Sequence, residues 1–157
     1  IVAGVMWIGL LYYFNVVQVP GLADAAADKG GPGGAGISKY IAPRALFWFR
    51  WAAVVTWITG AYYLAFGFGS TKVLHQAFML EPGFRTIGVG AWLGTIMLFN
   101  VWVLIWPNQK KILGIVPATD EQKAKARKTA LYASRTNFIL SVPMLMCMGG
   151  QGHGLPF

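Results

Sequence analysis

The sequence predicts an all-α fold, an integral membrane four-helix bundle made of two tandem two-helix repeats. Three observations carry that expectation. The 157 residues are 56% hydrophobic and only 11% charged, with a mean hydropathy of +0.54; a soluble domain carries roughly a quarter charged residues. Four continuous apolar runs approach the roughly 20 residues that cross a bilayer as helix, and lipid demands a backbone satisfied within each segment. The third observation is a repeat. Trp7, Gly9, Phe14, Asn15 and Val16 recur 85 positions on as Trp92, Gly94, Phe99, Asn100 and Val101. The same offset carries Ala45, Leu46, Phe47 and Arg50 onto Ala130, Leu131, Tyr132 and Arg135. Units of about 1–68 and 84–149 then form one membrane domain. Each holds two spans, so the copies enter the membrane in the same sense, related by a parallel pseudo-two-fold.

Helix one is expected over about 1–19. Position 1 is Ile, inside an apolar run, which suggests a fragment or processed product. A signal peptide is disfavoured, because no basic n-region precedes the run and its partial copy lies mid-chain. The connection that follows centres on GGPGGAG, a flexible composition with no phosphate-loop Lys-Ser/Thr. Helix two is expected over about 45–68. Helix three, about 84–106, carries Gly88, Gly90 and Gly94 for close packing and stops at Pro107. Helix four, about 120–149, starts at a capping box, Thr119 to Gln122, with acids in its first turn. Its first third forms a basic stem, Pro143 interrupts its ladder, and GGQGHGLPF reads as a mobile tail.

The +8 charge is placed, not spread. Lys29, Lys39, Arg44, Lys110, Lys111, Lys123, Lys125, Arg127, Lys128 and Arg135 flank or lie in the first and third connections, whereas the second has Lys72 and Arg85. The positive-inside rule puts the basic connections in the cytoplasm and both termini outside. That distribution marks topology and anionic lipid, and argues against a nucleic-acid partner.

Asn15, Arg50, Asn100 and Arg135 then fall in one layer, on the order of 8–10 Å inside the cytoplasmic boundary, with Gln18 and Asn137 close by. No Asp or Glu lies in the four runs to pair with the arginines. One reading is interhelical bonding and snorkelling. The other is a small-anion site, with planar guanidinium forks as donors. His75 and His153 share the outer side, as a haem or metal site would need, although their loop and tail positions favour exposed, unliganded rings. Cys147 stands alone, and no CxxCH motif or nucleophile–His–acid set is present.

The stretches AGVMWIGLLYYFN, PRALFWFRW, GTIMLFNVWVLIWPNQKK and SRTNFILSVPMLMCMGG resemble the membrane domain of the bacterial urate hydroxylase family, the urate oxidase N-terminal domain. The resemblance implies an inner-membrane protein. Long forms have about eight helices and a c-type cytochrome domain, and hydroxylate urate while passing electrons to the respiratory chain. It also implies that His153 matches a family histidine at the end of the last helix. This chain has half the helices and no cytochrome motif, and reads FNVVQ where the family's first helix usually carries an acid. The resulting expectation is an accessory membrane subunit assembling with other subunits of an energy-converting or oxygen-using complex. The alternatives are a urate-type hydroxylase module and, more remotely, a small-anion carrier.

Overall fold

The computed structural model describes residues 1–67 and 72–154, and among these it contains helices and no strand. Five helices follow in order: α1 (Val2–Ala27), α2 (37–67), α3 (Lys72–Phe78), α4 (Arg85–Ile112) and α5 (Asp120–His153). By length and composition α1 and α4 are apolar enough to cross a membrane. Although α2 and α5 are as long, they dilute their apolar stretches with Arg50 in one and Arg135, Asn137 and Ser141 in the other.

Two helices outrun their predicted ends, because proline does not stop them. A proline lacks the N–H for the preceding turn, and its ring crowds the carbonyl four residues back. The backbone answers by widening to π-helix over Tyr13–Gln18, two residues ahead of Pro20, and over Asn100–Ile105, two ahead of Pro107. The wide turn leaves room for the unpaired carbonyl, so α1 continues to Ala27 and α4 to Ile112. The same arrangement precedes Pro43, where Ile37–Ile41 is π-helical.

At the start of α5 the capping box forms in full. The Gln122 N–H donates to Thr119 Oγ1 at 3.2 Å, and the Thr119 N–H donates to Gln122 Oε1 at 3.0 Å. The predicted mobile tail is helical as far as His153 instead. Gln151 fixes it: its Oε1 accepts from the Ile87 N–H (3.1 Å) and its Nε2 donates to the Gly83 carbonyl (2.8 Å). An amide that satisfies a free N–H at the start of α4 acts as a cap supplied from a distance. Residues 155–157 lie outside the described ones.

The long helices pack as pairs, α1 along α2 and α4 along α5, and the pairs meet through α1 with α5 and α2 with α4. All four contribute to one core, with Trp7 and Leu11 against Phe49 and Ala53, Met97 and Val101, and Ala133. The short α3, unforeseen in the sequence, makes a second cluster in which Val73 and Ala77 pack on Leu64, Ile87 and Ala91. Its approach to α4 demands glycine, since a Cβ at Gly88 would collide with the Ala77 carbonyl oxygen.

The surface of the molecule is as apolar as its core, and a few polar groups lie inside. Asn137 and Ser141 are fully buried and Arg50 and Asn100 nearly so, while Val16, Trp48, Phe99 and Ile139 stand more than half exposed. Only 11% of the apolar stretch of α1 is buried. In soluble proteins the distribution runs the other way.

Candidate functional site

The polar interior starts from α5. Asn15 donates from Nδ2 to Ser134 Oγ at 2.9 Å and to its own helix at the Leu11 carbonyl, 2.8 Å. One turn along α5, Asn137 accepts from Asn100 Nδ2 at 2.8 Å and donates to the Met97 carbonyl at 2.9 Å. Both asparagines from the sequence motif therefore reach adjacent turns of one helix, and both sit in the π-helical segments that the prolines create.

Arg50 is 8% exposed, and its guanidinium lies 3.3 Å over the Trp106 ring and 5.9 Å from the Trp102 ring. A planar cation stacked on indole is held by the ring quadrupole. The ion pairs His75–Glu81 and Lys123–Asp120 lie elsewhere, and among the described residues no carboxylate pairs with Arg50. Several buried atoms on α1, α2 and α4 lack hydrogen-bond partners: Arg50 Nε and Trp102 Nε1 as donors, Asn15 Oδ1 and Gln18 Oε1 as acceptors. Donors and acceptors left open together are unusual in a protein interior.

The structure places Arg135 apart from this group, exposed on α5. The reason is helical phase. The buried positions Ala42, Leu46, Phe49 and Ala53 of α2 correspond to buried Ala126, Ala130, Ala133 and Asn137 of α5, 84 residues on in each case. The sequence repeat runs at 85. One residue is a rotation of about 100°, enough to carry Arg135 off the face that Arg50 occupies and to put Ser134 in its place. A similar rotation separates Trp7, 2% exposed, from Trp92, 46% exposed. Sequence reasoning also passed over Trp102, Trp106 and Ser134. The WPNQKK segment reads as a helix stop, and nothing in it announces a stacking partner for Arg50.

His75 and His153 are both exposed. His75 Nδ1 lies 3.9 Å from Glu81 Oε1, and His153 closes α5. Among the described residues no three His, Cys, Asp or Glu side chains gather into a metal-binding group. Exposed imidazoles without a surrounding apolar pocket do not fit a haem within this chain.

The molecule is thus an all-helical, largely apolar protein with two helices able to cross a membrane, consistent with a membrane protein, and a desolvated arginine in its interior. It belongs to the urate oxidase N-terminal family, whose model matches residues 70–156, more than half of the chain. The matched segment holds α3, α4 and α5, with Asn100, Arg135, Asn137, Gln151 and both histidines; Asn15 and Arg50 precede it. No curated protein and no solved structure matches the chain.

Proposed function

We propose that this protein is a multi-pass subunit of the bacterial inner membrane, a four-helix bundle of two parallel repeats, related to urate hydroxylases and assembling with other membrane subunits. The apolar surface carries this reading. Core helices of soluble proteins pass a hydropathy test because they are buried, whereas α1 is apolar and largely uncovered. Lipid and neighbouring subunits are the surroundings in which exposed Val16, Trp48, Phe99 and Ile139 cost nothing. The basic connections face the cytoplasm and the termini face outward. Arg135, exposed on α5 beyond the basic stem, contacts lipid phosphates or a partner. Carbonate washing of membranes tests the first part, and purification in mild detergent the second: the protein should stay in the pellet and then bring partner subunits with it. A protein released by carbonate, or one that purifies alone, would refute the corresponding half.

A second reading, an oxidoreductase module of the urate-hydroxylase type, draws on the family match and on Arg50. A cation without a carboxylate, beside open donors and acceptors, suits an anionic purine, and Asn15 and Gln18 supply the acceptors. Here Arg50 orients the anion by charge and planarity, and the redox group comes from a partner. Urate-dependent oxygen consumption by the purified complex, lost in Arg50→Ala, would support it; consumption that is absent, or unaltered in the variant, would exclude it.

A further inference from the structure

Near the end of α4, two cations meet on a single ring. The Arg50 guanidinium of α2 lies 3.3 Å over Trp106, and Lys110 Nζ, a turn further along α4, lies 5.8 Å from the centre of the same indole. An indole face attracts a cation through its quadrupole, but it leaves both charges in place. Among the described residues no carboxylate pairs with either one. The dipole at the end of α4 favours a cation at Lys110, which lies in the last turn. It does nothing of the kind for Arg50, which lies mid-helix.

The pair is reached from the flank of the bundle. Arg50 is 8% exposed, and of its nitrogens Nε is the one sealed off without a partner. No hydrogen bond among the described residues engages Nη1 or Nη2, so these two keep the accessible surface. Lys110 is half-buried, and Trp51, next to Arg50 in sequence, stands exposed. The Trp51 ring packs edge-on against Trp102 at 5.6 Å and joins α2 to α4 beside the cations. From there Val55 on one helix and Phe99 and Val103 on the other continue an exposed apolar flank.

Indole, lysine and arginine at one level compose the boundary between membrane and water, and basic pockets between helices bind phosphate headgroups there. The guanidinium fork matches two phosphate oxygens, and the ammonium adds a point charge. We infer that Arg50 and Lys110, held together by Trp106, bind the phosphate of an anionic phospholipid whose acyl chains lie along that apolar flank. The inference rests on the membrane reading above. Arg50 is shared with the hydroxylase reading, and lipid and purine are alternative anions for it.

Native mass spectrometry of the delipidated protein in detergent tests this with phosphatidylglycerol and phosphatidylcholine of identical acyl chains. The two lipids share the phosphate ester and differ in net charge. Phosphatidylglycerol should bind about thirtyfold more tightly, the effect of two cations near a membrane surface. Lys110→Gln should cut that preference to about fivefold, and Arg50→Gln combined with Lys110→Gln should erase it. Lys123→Gln removes a stem lysine that sits beside Asp120, and should leave the preference within about twofold. Equal affinities in the native protein, a preference unchanged in Lys110→Gln, or the same loss in Lys123→Gln would each overturn the inference. The Lys110 measurement decides even where the double variant fails to fold. Urate bound in equilibrium dialysis by protein that shows no lipid preference would give the cations to a soluble anion instead. Carbonate washing keeps the two readings apart: protein retained in the membrane without a lipid preference defeats this inference alone, and protein released defeats the membrane reading beneath it.

Discussion

Asn137 offers the cleanest measurement of the polar interior. It is fully buried and makes two hydrogen bonds, accepting from Asn100 Nδ2 at 2.8 Å and donating to the Met97 carbonyl at 2.9 Å. Leucine has the same number of side-chain heavy atoms in nearly the same arrangement, so Asn137→Leu removes the polarity without opening a cavity. The Asn100 amide, 8% exposed, is then left without its acceptor. Stranding a buried polar group costs about 1–3 kcal/mol, whereas interhelical bonds in membrane proteins average about 0.6 and reach about 1.7 kcal/mol. The expectation is a loss of about 1–2 kcal/mol. Asn100→Leu should cost less, about 1 kcal/mol, because Asn137 keeps its bond to Met97. Combining the two removes both members of the pair, so the double variant should lie well short of the sum, by about 1 kcal/mol. Unfolding in a detergent–denaturant titration, followed by tryptophan fluorescence, gives all four corners of the cycle. Additivity to within about 0.3–0.5 kcal/mol would show that the pair is not coupled and that the interior contact is wrong.

Gly88→Ala should lower stability by about 1–3 kcal/mol, because the added methyl meets the Ala77 carbonyl; an unchanged melting curve would mean that α3 does not pack there. On the hydroxylase reading, Arg50→Ala should abolish urate binding measured by equilibrium dialysis, while Arg135→Ala, altering an exposed group, changes it by less than about twofold; equal losses would contradict the rotation between the two arginines. Thr119→Ala should cost about 1 kcal/mol and speed hydrogen exchange in the first turn of α5, and protection that survives would deny the cap. Gln151→Ala should raise exchange at the Ile87 amide selectively over amides deeper in α4; no change there would remove Gln151 from its role.

The all-helical class was legible because apolar runs and caps are local. Thr119 and Gln122 announce their own contact at a spacing of three. Asn15 and Asn100 stood out too, as amides within apolar runs, and they bond to Ser134 and Asn137 on one helix. What sequence could not supply was rotation about the helix axis. An offset of 85 aligns letters, but burial follows an offset of 84, and a single residue separates an interior arginine from an exterior one. The prolines misled for a related reason. Pro20 and Pro107 look like stops, yet π-helical turns absorb them and both helices go on. The exposure of His75 and His153 was legible from their loop and tail positions.

The Gln151 clasp bears on how the protein is made. The start of α4 leaves the ribosome about 60 residues before the glutamine that satisfies its Ile87 amide. Until Gln151 has emerged, the Ile87 amide lacks its acceptor from α5, and this clasp closes from the final turn of that helix. A chain cut short before Gln151 would keep every buried apolar residue of the two clusters and still lack this fastening.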